Sequence, residues 1–144
     1  MTEKKILVDT SAWILGFRGS APAALQGFLK EAIDQNRVVL TPLIILELLQ
    51  GCRTEMEFGD LKEKLESFES CPLDAISWKD AYRLGFSLRR KDLTIPTLGL
   101  LVASLCMKNR LTLLHHDHHF QMIARHSSLD AVDFLPPLLP PKQP

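Results

Sequence analysis

The chain has 144 residues, 46% of them hydrophobic and 24% charged. A chain near that length buries about 68–70% of its unfolded surface, so one core can hold it without disulfides or a structural metal. Intrinsic disorder is excluded by the composition. Lys plus Arg is 17 and Asp plus Glu is 17. Bulk charge therefore announces neither a nucleic-acid nor a membrane partner, and any steering has to come from a local patch.

Cys52, Cys71 and Cys106 are odd in number and widely spaced, with no C-x-x-C. That points to a reducing compartment and away from a disulfide framework or a thiolate zinc site. Only three apolar residues, Ile6-Leu7-Val8, separate Lys4-Lys5 from Asp9, and no signal peptide fits there. No apolar run approaches the roughly 18 residues of a membrane span. The expectation is a cytoplasmic protein with one domain over residues 1–135 and a Pro-rich tail over 136–144.

Residues 6–8 form a short apolar run that reads as a buried strand. Residues 12–17 suit a short helix, broken by Arg18-Gly19-Ser20. Residues 21–35 carry Leu25, Phe28, Leu29, Ala32 and Ile33 at helical spacing. Val38-Val39-Leu40 is a second strand. Thr41 as cap and Pro42 at the first helical position then open a helix that ends near Gly51.

Residues 58–68 read as an amphipathic surface helix, 72–76 as a short strand and 77–90 as a helix. Thr94-Ile95-Pro96-Thr97 is a loop ending in a cap. A mostly apolar helix follows over 98–108 and stops at Asn109. Residues 111–114 are a strand, 120–124 a short helix and 132–135 a last strand. Such alternation predicts an α/β fold, a parallel sheet with helices on both faces and ligands beyond the carboxyl ends of the strands. The prolines of the tail exclude helix and central strand there.

Three carboxylates stand out. Asp9 ends the first strand, where it either caps the next helix or faces the ligand crevice. Glu47 is the only charge between Arg37 and Arg53. It belongs either to a solvated stripe with Gln50 and Thr54 or to a cleft, with Gly51 leaving space beside it. Asp117 follows the strand at 111–114 within His115-His116-Asp117-His118-His119. His-rich tracts bind metals, but the side chains of consecutive residues diverge. If Asp9, Glu47 and Asp117 converge, each close pair costs about 4 kcal/mol at 4 Å and an effective dielectric of 20. Only a cation sustains such a cluster, and all-oxygen ligands select Mg²⁺ or Mn²⁺. The matching chemistry is phosphodiester hydrolysis. No phosphate-binding glycine loop is present, and none of Ser11, Cys52 and Cys106 has an activating partner that the sequence identifies.

Ile6-Leu7-Val8-Asp9-Thr10-Ser11-Ala12-Trp13 resembles the opening motif of PIN domains, especially VapC-type toxins of bacterial toxin–antitoxin pairs. Residues 41–51, 93–103 and 113–120 resemble the three motifs that follow, in order and spacing. The resemblance implies a five-stranded parallel sheet and a Mg²⁺- or Mn²⁺-dependent ribonuclease acting on RNA. It assigns the ion to Asp9, Glu47 and Asp117, with Thr10 or Ser11 supporting Asp9. It also implies a homodimer and a VapB-type antitoxin that lays a helix or extended tail across the toxin; the helix carrying Leu61 and Leu65 is either a contact for it or, the favoured reading, packed on the chain's own core.

Two positions depart from the family pattern. Gly99 stands where the third motif carries an acid, usually Asp, and His119 where the fourth often carries a second one. A lost support around a metal typically costs 10–100-fold in affinity or activity, so the expectation is a weakened or inactive enzyme. Gly99 marks either a degenerate member that binds without cutting or a selected or engineered change from Asp. A third account has His119 or Asp92 substituting as ligand. Arg89 and Arg90, just before the third motif, either compensate a helix dipole or bind RNA phosphates.

Overall fold

Ile6, Leu7 and Val8 are wholly buried, as a strand covered on both faces requires. The structure, a computed structural model, describes residues 4–17 and 21–134. Its strands are β1 (Ile6–Val8), β2 (Val38–Leu40), β3 (Glu69–Ser70), β4 (Thr112–Leu114) and β5 (Ala131–Val132). Between them lie α1 (Thr10–Phe17), α2 (Ala23–Asp34), α3 (Pro42–Gln50), α4 (Glu55–Glu66), α5 (Ala75–Arg89), α6 (Thr97–Asn109) and α7 (His118–Arg125). All strands pair in parallel in the order β3-β2-β1-β4-β5. This is the expected α/β fold with a five-stranded parallel sheet. Among the described residues, no helix is long and apolar enough to cross a membrane.

β1 is the centre of the sheet. Ile6 pairs with Val38 on one side and Thr112 on the other, and Val8 pairs with Leu114. Around it Val39, Leu40, Leu113 and Leu114 are almost entirely excluded from solvent, as are Ala103, Leu105 and Cys106 of α6. α6 lies against α5, and Gly85 allows that approach: a Cβ there would sit 3.0 Å from Leu100 Cδ1.

Several boundaries differ from the sequence expectation. The third strand is Glu69–Ser70, not 72–76. Both residues are exposed and polar on a sheet edge, so no hydrophobic run marked them. α4 begins at Glu55, three residues earlier than expected. Its start was legible as Thr54-x-x-Glu57, a capping pair, and the Thr54 side chain does accept from the Glu57 N–H at 3.1 Å. α5 starts at Ala75 on an Asp74 cap, not at residue 77. At α6 the N-cap position is Pro96 and Thr97 is already helical, so the expected threonine cap is absent. α6 stops at Arg110, which takes the left-handed conformation (φ 53), rather than at Asn109. The Asn109 amide instead donates back to the Leu105 carbonyl. The last strand is Ala131–Val132. Leu135, the tail over 136–144 and the break at Arg18-Gly19-Ser20 lie outside the described residues.

Candidate metal centre

The strand order reverses beside β1, with β2 on one flank and β4 on the other. Crevices at the carboxyl ends of such strands are the usual ligand sites of open α/β sheets. Asp9 directly follows β1 and Asp117 lies three residues beyond β4. The Asp9 N–H donates to the Leu114 carbonyl at 2.9 Å, which ties the two strand ends together.

Asp9 is buried, only 7% exposed. Its Oδ2 accepts from the Ser11 N–H at 3.0 Å and from the Ser11 hydroxyl at 2.6 Å. The bond to Ser11 N is N-cap geometry for α1, so Asp9 caps that helix and faces the crevice at once. The Ser11 hydroxyl also accepts from the His116 N–H at 2.9 Å. One small side chain thereby joins the loop after β1 to the loop after β4. Thr10 reaches Asp9 only through its backbone N–H; its hydroxyl donates to Glu47 Oε1 at 3.1 Å. That contact orients the half-buried Glu47 inward from α3, and the solvated stripe is not what forms.

Asp117 caps α7, its Oδ1 accepting from the His119 N–H at 2.9 Å. The histidines around it divide by position. His115 is 2% exposed, and its Nδ1 accepts from the Asp117 N–H at 3.1 Å. Its ring meets the Phe120 ring edge-on at 5.3 Å. Burial pushes the His115 imidazole below its ordinary value, against the nearby Asp133 and Asp117 charges. It is a neutral acceptor that shapes the turn. The His116 Nδ1 lies 3.2 Å from both Asp133 carboxylate oxygens. His118 and His119 flank Asp117, with the His119 Nδ1 2.9 Å from Asp117 Oδ1.

Asp9, Glu47, Asp117, Gly99, His119 and Phe120 line one cavity of about 170 Å³. Sequence reasoning named all of these as site residues except Phe120, which it placed only at the end of the fourth motif and the start of a short helix. A Cβ at Gly99 would lie 3.3 Å from Ile95 Cγ2 and 3.9 Å from Phe120 Cε1. A side chain fits there if Ile95 gives by a few tenths of an ångström. Asp92 is exposed with φ 61 and does not line the cavity, so it is no substitute for the missing acid. Arg89 donates to Thr94 Oγ1 at 3.4 Å. Arg90 sits 5.6 Å over the Phe86 ring. Both lie on the outside of the molecule, at the helix end that leads into the loop before α6.

Electrostatics mark the cavity as deficient in positive charge. Burial chiefly, and the neighbouring Asp117 charge in addition, push the Asp9 carboxyl above its ordinary value despite the Ser11 bonds. Burial also raises Glu47, and the charges of Asp9 and Asp117 add to the effect. Like charges 4–6 Å apart cost about 3–4 kcal/mol at an effective dielectric of 20. Asp117 Oδ2 accepts no hydrogen bond among the described residues, whereas the Asp9 carboxyl accepts from the Thr10 N–H as well as from Ser11. The Asp117 oxygen is thus left for a cation, which this donor set of carboxylates fits.

The whole-chain similarities agree with this architecture. Residues covering 90% of the chain superpose on 98% of a chain in the crystal structure of VapBC2 from Rickettsia felis bound to a promoter DNA fragment, with TM-score 0.74 and 17% identity. VapBC from Salmonella typhimurium bound to DNA gives TM-score 0.73 at 14% identity, over 92% of this chain and 100% of that one. In sequence, the chain is 28% identical over 134 residues to ribonuclease VapC11 of Mycobacterium tuberculosis and to VapC ribonuclease Mb1587 of Mycobacterium bovis. Each alignment covers 90% of this chain and 98% of the relative. The model of the PIN domain family matches residues 6–126, and with that extent of match the chain belongs to the PIN domain family, as a homologue of the VapC ribonuclease toxins.

Proposed function

We propose that the chain is a divalent-metal-dependent endoribonuclease of the VapC toxin type, its hydrolytic power weakened by the glycine at position 99. The observation that carries this reading is the convergence of Asp9, Glu47 and Asp117 on one cavity at the switch point of the sheet. Those three carboxylates would hold Mg²⁺ or Mn²⁺. A bound ion supplies Lewis acidity toward a phosphoryl oxygen and lowers the pKa of a coordinated water. The chain's own residues do the positioning. Ser11 fixes Asp9 against the loop that carries Asp117, and Thr10 fixes Glu47. Arg89 and Arg90 would neutralise phosphates of the RNA outside the cavity. With glycine at position 99, α6 offers no acid in its first turn.

The same glycine favours a second reading, a PIN domain that binds RNA or an antitoxin without turnover. An antitoxin partner has support in the toxin–antitoxin complexes among the structural neighbours. The groove of about 530 Å³ lined, among the described residues, by Ile14, Phe17 and Leu61, with Glu47, Glu57 and Asp60 against the single cation Lys64, suits an amphipathic basic segment. Leu65, by contrast, is buried in the chain's own core. A homodimer has its candidate surface on α5, where Trp78, Tyr82 and Phe86 are exposed four residues apart.

The test is Mn²⁺-dependent cleavage of a broad RNA panel by this chain beside its Gly99→Asp variant. Cleavage by the variant alone supports the weakened ribonuclease. Equal cleavage by both removes the role given to Gly99. Cleavage by neither overturns the ribonuclease reading and leaves the binding module.

A further inference from the structure

Asp133 is a buried carboxylate that does not line the cavity. It directly follows β5, as Asp9 follows β1, and its side chain is only 6% exposed. Both of its oxygens lie 3.2 Å from the His116 Nδ1. An ionised carboxylate only accepts, so that ring nitrogen carries the proton and donates. Burying an acid at the end of an edge strand is costly unless it is hydrogen-bonded. An apolar side chain would seal the same place without that cost, so the bond to His116 is what the acid adds.

What the bond holds is the loop between β4 and α7, which runs over residues 115–117 and carries Asp117. The His115 N–H donates to the Val132 carbonyl at 3.0 Å and fixes the start of the loop on β5. His116 is then clamped from two sides. Its backbone N–H donates to the Ser11 hydroxyl at 2.9 Å, and that hydroxyl donates to Asp9 Oδ2 at 2.6 Å. Its ring is held by Asp133 on the other flank of β4. The ends of β1, β4 and β5 are thereby tied in a row.

We propose that Asp133 is a positioning residue for Asp9: by fixing the His116 ring it sets where the His116 N–H meets the Ser11 hydroxyl, and so aims the Asp9 carboxylate. The route is mechanical rather than a proton path, since the ring and the N–H of His116 are joined only by the residue's own covalent frame. A hydroxyl has one proton to donate and lone pairs that accept. With the His116 N–H fixed on its accepting side, the Ser11 proton is directed at Asp9. Partners that orient ligating groups are typically worth 10–100-fold in metal affinity. The inference rests on the proposed metal-dependent reading for its effect on an ion, whereas the tether itself is read in the metal-free chain.

The experiment compares the unaltered chain with Asp133→Ala, Asp133→Asn and His116→Ala, and repeats Asp133→Ala in a Ser11→Ala background. Amide hydrogen exchange in chelator, followed by NMR, reports the His116 N–H. The Asp9 N–H, bonded to the Leu114 carbonyl, is the control for the sheet. Mn²⁺ affinity is read from the electron paramagnetic resonance signal of the free ion. Asp133→Ala is expected to speed exchange at His116 about tenfold or more, to change the control by less than about threefold, and to weaken Mn²⁺ about tenfold. His116→Ala keeps the backbone N–H but loses the ring, and is expected to weaken Mn²⁺ equally. Asp133→Asn keeps an acceptor oxygen for Nδ1 and is expected to hold both quantities within about threefold of the unaltered chain. With Ser11→Ala already present, Asp133→Ala is expected to cost Mn²⁺ affinity nothing more. A merely structural Asp133 gives a different pattern: the control amide loosens along with His116, or the Ser11 and Asp133 losses multiply. Either pattern overturns the proposal, as does unchanged Mn²⁺ affinity or unchanged His116 exchange in Asp133→Ala, and each leaves the metal-dependent reading standing. Absence of Mn²⁺ binding by the unaltered chain overturns that reading and, with it, the role of Asp133 at the ion.

Discussion

Replacing Ser11 with alanine removes one hydroxyl that makes two contacts: it donates to Asp9 Oδ2 at 2.6 Å and accepts from the His116 N–H at 2.9 Å. A hydrogen bond to a charged group contributes about 1.5–3 kcal/mol, and a buried partner left unsatisfied costs about 1–3 kcal/mol. Because Asp9 is only 7% exposed, solvent does little to screen the loss. The expected destabilisation in chelator near pH 7.5 is about 2–3 kcal/mol, or roughly 6–9 °C in Tm at about 3 °C per kcal/mol for a domain of this size. The pH dependence is more diagnostic than the size. The folded Asp9 carboxyl lies above its usual 3.8, raised mainly by burial and pulled back by Ser11. A raised carboxyl contributes stability that is fully present below the unfolded pKa and is lost as pH rises through the folded one. Without the Ser11 hydroxyl that loss deepens, since the charged form has lost its best donor. Once Asp9 is protonated the missing bond is an ordinary neutral one, about 1 kcal/mol. Chemical denaturation at about pH 7.5 and again near pH 3, below the ordinary carboxyl value, with circular dichroism as readout, measures the difference. A loss as large at the lower pH as at the higher, or a loss under about 0.5 kcal/mol at the higher, refutes the reasoning.

Two further outcomes follow from groups outside the cavity. Asp74 caps α5 through the Ser77 N–H and pairs with Lys108, and the Lys108 contact holds its carboxyl far below the usual range. The stability it contributes is present above the unfolded value and is lost as pH falls through the folded one. Asp74→Ala is thus expected to lower Tm at neutral pH, with the gap closing only in strong acid; a gap constant with pH counts against the pairing. Cys106 is fully buried and its thiol is pushed up by burial, whereas Cys52 and Cys71 are partly exposed. An aromatic disulfide reagent should titrate two thiols in the native chain and three in denaturant; three fast thiols in the native chain contradict the packing around α6.

The central strands were legible because their residues are buried on both faces. Ile6–Val8 and Val38–Leu40 are continuous apolar runs with no competing period. The edge strand at Glu69–Ser70 was not legible, since its residues carry no hydrophobic signal and their pairing is imposed by β2. The three acids were legible as positions but not as a geometry. Asp9 and Asp117 follow strands that sequence reading could place, yet nothing local says that β1 and β4 are neighbours. Glu47 was harder still, because a helix carries it and only the Thr10 hydroxyl shows which way it turns. The double role of Ser11 was invisible, since its second partner, the His116 N–H, lies 105 residues away. Gly99 was readable as a departure from a motif, and the structure adds that a Cβ there would press on Ile95 at 3.3 Å.

Capping and ion binding entered as rival explanations of Asp9, but the two are compatible, and at Asp117 one oxygen does the first and leaves the other for the second. Asp9 Oδ2 and Asp117 Oδ1 accept helix N–H groups. That division has a consequence at Asp117 that can be measured. Asn caps as well as Asp, whereas Ala costs about 0.5–2 kcal/mol at an N-cap. Asp117→Asn keeps an oxygen for the His119 N–H and removes a charge that pushes on both Asp9 and Glu47. In chelator, Asp117→Asn should therefore be at least as stable as the unaltered chain, while Asp117→Ala should be about 1 kcal/mol less stable. Divalent ions should raise the Tm of the unaltered chain, through binding to the folded form alone, and should raise that of neither variant. If Asn destabilises as much as Ala, the cap is not what Asp117 supplies. If ions stabilise the Asn variant as much as the parent, the charge is not what the ion needs. Only the split outcome, stability kept by Asn and ion response lost by both, matches a carboxylate whose two oxygens serve the helix and the cavity separately.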